Sequence, residues 1–151
     1  TIIVGGGPGV HTLLLHPTLT IITPPGGGAA NAGRIIARLE QEGFTIVAMK
    51  KLALSEAQAR GFYAVHSERP FFEDLVAFMT SGPIVPMVLE RESAVAALRE
   101  VMGATDSLKA AEGTIRNLYG TDIERNAIHG SDGPDTAEVE RAFFFSSLEQ
   151  A

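Results

Sequence analysis

The chain has 151 residues, 45% of them hydrophobic, enough for one domain to bury a core and too few for two full ones. Its formal charge of -6 gives no general attraction to nucleic acid or anionic lipid, and no apolar run reaches the length that spans a bilayer. The lack of cysteine excludes disulfides and thiolate metal sites and fits a reducing cytoplasm.

The opening Thr1–Leu15 carries no basic n-region and no small-residue cleavage site, so it is not read as a signal peptide. Ile2-Ile3-Val4 followed by Gly5-Gly6-Gly7-Pro8-Gly9 looks like the strand and glycine turn of a flavin- or nicotinamide-binding unit. Val10 stands where the third glycine belongs, however, and Pro17 stops any helix early, so the phosphate-facing helix terminus is missing. A second apolar-then-glycine run, Thr20 to Gly28, lacks the lysine and hydroxyl of a Walker loop. Thr18 to Thr23 reads as a buried strand ended by that proline and glycine cluster.

From Asn31 the periodicity is clear. Ala32, Ile35, Ile36 and Leu39 fall on one helical face, with Asn31 placed to cap and Gly43 to stop the helix. Phe44 to Leu54 reads as a strand, and Ser55-Glu56-Ala57-Gln58 as a capping box that opens a short helix through about Val65. Pro70 introduces a helix whose core stripe is Phe72, Leu75, Val76 and Met79; Phe71 lies off that stripe, next to Arg69, where it could stack on a base. Gly82 to Leu89 is strand-like, with Pro86 demoting the segment or marking an edge position. Ala94, Val95, Leu98 and Met102 mark another helix, Gly103 to Arg125 reads as a long loop, and Pro134 starts a final helix through Phe145. This order predicts an α+β protein with a mostly antiparallel sheet and helices on one face.

The stretch Asn126-Ala127-Ile128-His129-Gly130-Ser131-Asp132 is the densest in reactive groups. On a short strand His129 and Ser131 share a face, so ring and hydroxyl could address one ligand, and Gly130 would let a ligand come close. An ordinary polar turn is the competing reading.

From about Thr18 to Phe145 the chain resembles the nucleoside diphosphate kinases. The segments that carry the likeness are Gly61-Phe62-Tyr63-Ala64-Val65-His66, Glu68-Arg69-Pro70-Phe71-Phe72, Met102-Gly103-Ala104-Thr105, Gly113-Thr114-Ile115-Arg116 and Asn126–Asp132, in that order. The resemblance implies a ferredoxin-like antiparallel sheet with helices packed on it, in a domain over 18–151 preceded by an N-terminal extension over 1–17. It implies ping-pong transfer of the γ-phosphoryl of a nucleoside triphosphate to His129 and on to a nucleoside diphosphate. A neutral imidazole suits that role, being nucleophilic near neutral pH. His11 and His16 lie outside the matched segments.

By matching positions, Arg69, Arg99, Thr105 and Arg116 would hold phosphate oxygens, with His66 a secondary contact and Tyr63 beside His129. Glu140 would orient the imidazole, with Ser131 between them. Phe71, Leu75 and Ile123 would take the base and Asn126 the ribose. Mg²⁺ would arrive on the phosphates, with Asp132 at most a water-mediated partner. Relatives imply a cytoplasmic homo-oligomer, a tetramer or hexamer built from dimers, with no membrane or nucleic-acid partner. Thr23 departs from the pattern, because the family has a lysine there. A nucleotide-binding or scaffold protein with weakened turnover is therefore the alternative.

Overall fold

The computed structural model describes residues 2–4, 11–13, 15–24 and 29–150, with backbone alone for 2–4, 11–13 and 29. The glycine turn at 5–10 and the second glycine run at 25–28 lie outside the described residues. β1 (Ile2–Val4) pairs antiparallel with β2 (His11–Leu13), which is not the parallel strand-helix-strand unit of a dinucleotide fold.

The main sheet is built from β3 (His16–Ile22), β4 (Thr45–Met49), β5 (Val85–Arg91) and β6 (Ile128–Gly130), in the order β4-β5-β3-β6 and antiparallel throughout. Helix α1 (Ala32–Gln41) connects β3 to β4, and α4 (Ala94–Met102) follows β5 on the way to β6. These two units interlock as the ferredoxin-like split pattern. Between β4 and β5 lie α2 (Glu56–Phe62) and α3 (Phe72–Met79); α5 (Ile115–Tyr119) precedes β6, and α6 (Pro134–Phe144) follows it.

Helices cover both faces of the sheet, which corrects the one-face arrangement expected from element order. Ile22, Met87, Leu89 and Ile128 pack with Ile35 and Leu39 of α1 and Leu98 of α4. Leu19, Ile21 and Val88 point the other way, into a second cluster with Ala59, Phe72, Val76 and Phe144 from α2, α3 and α6. A strand buried on both sides reads as a continuous apolar run rather than an alternation, as Val85 to Leu89 does.

Pro86 lies in this internal strand, not on an edge. Its carbonyl accepts from Lys50 N at 3.2 Å, and because a strand residue's nitrogen and carbonyl share one edge, the ring nitrogen faces the residue just past the end of β4 and forgoes the one ladder bond it would have donated. The stretch 103–125 is likewise not an unbroken loop. Thr114 caps α5 by accepting from Asn117 N at 3.3 Å, and a 3-10 turn occupies Ser107–Lys109. Such short helices bury too little to leave a periodic signal.

Candidate active site

His129 is carried by β6, where it lies opposite Ile21 of β3, and its carbonyl accepts from Thr20 Oγ1 at 2.7 Å. The strand's alternation sends Ile128 and Gly130 toward α4 and the imidazole toward α2 and α6. Gly130 does permit a close approach, but of α4 and not of a ligand alone: a Cβ there would lie 2.7 Å from Met102 Cε and 3.0 Å from Leu98 Cδ2. The chain enters β6 through a γ-turn. Ile128 N donates to Asn126 O at 2.9 Å across Ala127, whose φ is 74°. This conformation is uncommon for a residue with a Cβ and costs about 1–3 kcal/mol, a kind of strain that clusters at functional sites.

Glu140 of α6 fixes the ring. Its Oε1 lies 3.0 Å and its Oε2 3.3 Å from His129 Nε2. Because an ionised carboxylate only accepts, the proton sits on Nε2, and a neutral ring then carries its lone pair on Nδ1. Ser131 is not between the two groups, as the resemblance implied. Its Oγ donates to Glu140 Oε2 at 2.6 Å from a fully buried position, so it steadies the carboxylate and does not reach a ligand. Sharing a strand face with His129 put it within reach of the same carboxylate.

Two aromatic rings complete the setting. Tyr63, buried at the end of α2, has its ring centroid 6.3 Å from that of His129, edge-on. Burial, and then the charge of Glu140, push its phenol well above the ordinary value, so it stays protonated at neutral pH. Phe62 also meets the imidazole edge-on at 5.8 Å. Its contribution was not anticipated, although it stands inside a matched segment and beside Tyr63 in sequence.

His129 opens on a cleft of about 600 Å³. Along one wall Arg99 Nη1 donates to Asp132 Oδ1 at 3.0 Å. Arg116 sits deeper, 8% exposed, with Nη1 donating to Gly103 O at 3.0 Å and Nη2 to Ile128 O at 2.9 Å. Burial, and then the charge of Arg99, lower its guanidinium to about 10 while Asp132 opposes the change, so it is charged at neutral pH. Asn126 Nδ2 ties this wall to the loop, donating to the carbonyls of Thr105 and Ile123, each at 3.3 Å.

The far end is apolar. Phe71 and Ile123 are both largely exposed there, with Leu75 below them and His66 against Phe71 at a centroid separation of 5.7 Å. Thr23 lines the floor, and the cleft also includes Asp74, Phe78 and Glu124, which sequence reading did not single out. Arg69 is exposed and is not among the lining residues. Among the described residues, no three histidine, cysteine, aspartate or glutamate side chains converge as a metal cage, and no helix is long and apolar enough to cross a membrane.

Fold and site together define an enzyme class, the phosphotransferases that act on nucleotides, and relatives narrow the class to a family. The family model described as nucleoside diphosphate kinase matches residues 16–150. A nucleoside diphosphate kinase of Sorangium cellulosum is 56% identical over 139 residues, 92% of this chain and 96% of that one. One from Desulfosudis oleivorans is 55% identical over 135 residues, 89% and 97% of the two chains. Among solved structures, the Aquifex aeolicus enzyme superposes with a TM-score of 0.86 at 45% identity, covering 91% of this chain and 100% of that chain. A Halobacterium salinarum enzyme in complex with CDP gives 0.84 at 41%, covering 90% and 91%. The chain belongs to the nucleoside diphosphate kinase family. The activity its relatives are named for favours an enzyme over a non-catalytic binding protein.

Proposed function

We propose that the chain exchanges phosphoryl groups between nucleotides in two steps through His129. The Nδ1 lone pair attacks the terminal phosphorus of a nucleoside triphosphate, the bond to the bridging oxygen breaks, and the diphosphate leaves. A terminal oxygen of a second diphosphate then attacks that phosphorus and the N–P bond breaks, restoring the imidazole. The observation that carries this reading is the grip of Glu140 on Nε2, which leaves Nδ1 as the nucleophile of a ring facing the cleft.

Arg99, Arg116 and Thr105 would surround the phosphates, with His66 and the outlying Arg69 as further contacts. A loose transition state spreads charge over phosphoryl oxygens, so fixed donors and cations are what the protein must supply. Phe71, Leu75 and Ile123 form an apolar shelf for a base, Asn126 serves the ribose, and Tyr63 packs beside the nucleophile. The shelf accepts any base by its face, in keeping with the pyrimidine nucleotide of the Halobacterium relative.

Asp132 places an exposed carboxylate beside Arg99, with Asp74 and Glu124 elsewhere on the cleft lining. That donor set fits Mg²⁺, which binds through one or two carboxylates plus substrate phosphates instead of an all-protein cage. When bound, it would supply charge neutralisation on the phosphate oxygens. We place the chain in the cytoplasm as a homo-oligomer, a tetramer or hexamer built from dimers.

Incubation with terminally labelled ATP and magnesium should give an acid-labile, alkali-stable label on the protein that chases into GTP when GDP is added. Retention of that label in a His129→Ala variant would overturn the assignment.

A further inference from the structure

We propose that Phe62 is a positioning residue, which holds the rotation of the His129 ring so that Nδ1 stays aimed into the cleft. The inference rests on the reading that Nδ1 is the nucleophile. Glu140 alone does not fix this aim. Its two oxygens share the Nε2 proton, at 3.0 and 3.3 Å, so the ring can turn about its Cβ–Cγ bond while one oxygen takes over from the other. Nδ1 lies farther from that axis than Nε2 does, so the turn displaces the nucleophile more than it stretches the hydrogen bond. A torsion of this kind is broad unless neighbours restrain it.

The restraint comes from the end of α2. The ring of Tyr63 stands 6.3 Å from the imidazole and that of Phe62 5.8 Å, with their planes at 87° and 76° to it. A ring crossed by two others near the perpendicular cannot turn without driving an atom into one of them. Phe62 is itself wedged, with centroid separations of 4.8 Å to Tyr63, 5.2 Å to Phe143 and 5.1 Å to Phe144. The last two belong to α6, and Phe143 lies on the same face of that helix as Glu140, three residues on. Helix α6 therefore acts on the imidazole twice, through the carboxylate on Nε2 and through Phe62 on the plane of the ring. Tyr63 lines the cleft whereas Phe62 does not, so Phe62 reaches a bound nucleotide only through His129.

Loss of the wedge should cost rate and not affinity. Misplacing an attacking atom by 1 Å can cost about 100-fold, and removing one restraint of three should cost about tenfold. The test compares phosphorylation of His129 by two donors in the parent, Phe62→Ala and the milder Phe62→Leu. ATP with magnesium is held by the cleft. Phosphoramidate meets the ring from solution, its P–N bond breaking as ammonia leaves. With ATP, rapid-quench measurements should show the saturated rate lowered about tenfold in Phe62→Ala and less in Phe62→Leu, with the half-saturating concentration unchanged. With phosphoramidate both variants should match the parent, because a donor that is not held needs no aim. If the ATP rate of Phe62→Ala equals that of the parent, if only the half-saturating concentration shifts, or if the phosphoramidate rate falls equally, Phe62 does not set the aim and His129 keeps its role. A parent that takes no phosphoryl group from ATP overturns the reading of His129 as well.

Discussion

Thr23 is where a single residue has most leverage on the chemistry. It follows the last residue of β3, is 3% exposed, and lines the cleft; its N donates to Ala127 O at 3.0 Å, which ties it to the turn before His129. Its Oγ1 is buried and has no hydrogen-bond partner. A hydroxyl in that state costs about 1–3 kcal/mol, a cost that a nucleotide accepting the bond would remove. Thr23→Val should therefore raise the thermal unfolding midpoint of the nucleotide-free protein and slow phosphorylation of His129 in rapid-quench measurements. The resemblance places a lysine here, and a charge-assisted contact to the transferred group is worth about 1.5–3 kcal/mol. Thr23→Lys should accordingly speed phosphorylation by roughly 10- to 100-fold. A variant no faster than the parent would mean that the arginines already supply the charge the step needs.

At the scale of elements, the contact between β6 and α4 sets the distance from His129 to the arginine wall. β6 brings His129 and α4 brings Arg99, and Gly130 allows them to approach. Gly130→Ala forces Met102 and Leu98 aside. Overpacking of this kind costs about 1–3 kcal/mol, and the displaced helix carries Arg99 with it. Chemical denaturation should show that loss, and kcat/KM should fall further than stability does; equal activity would show that α4 absorbs the methyl by rotamer changes alone. Elements of this size were legible where their signals are local. The Ser55–Gln58 box forms with both of its hydrogen bonds, at 2.9 and 3.1 Å, and the apolar stripes are buried at Ile35 and Leu39 of α1, Phe72, Val76 and Met79 of α3 and Ala94, Leu98 and Met102 of α4, with Ala32, Ile36, Leu75 and Val95 partly so. The γ-turn at Ala127 was not legible, because nothing about alanine announces a positive φ. Nor was the real role of Ser131, which depends on the docking of α6. The helix cover on the second face comes from α2, α3 and α6, and element order alone does not say on which side a connection crosses.

For the molecule as a whole, the sheet ends in an edge that no other strand among the described residues pairs with. β4 is the outer strand, five residues without a charge or proline, and Met49 at its end is 51% exposed. Natural edges are usually guarded by lysine, proline or a bulge, and among these β4 itself has only the irregularity between Ile46 and Ala48. Lys50 is next in sequence but is turned to other work. Its Nζ donates to Phe144 O at 2.7 Å and pairs with Glu149 at 2.8 Å, pulling that carboxyl down to about 2. The unguarded backbone row suits a second copy of the same strand, paired antiparallel about a two-fold axis, as an isologous dimer requires. Sedimentation velocity should therefore show the parent as an assembly of dimers. Met49→Lys adds the missing guard at an exposed position, so it should leave the circular dichroism spectrum unchanged and shift the distribution toward smaller species at micromolar concentration. A parent that sediments as a monomer would refute the oligomer, and an unshifted distribution in the variant would move the interface away from β4.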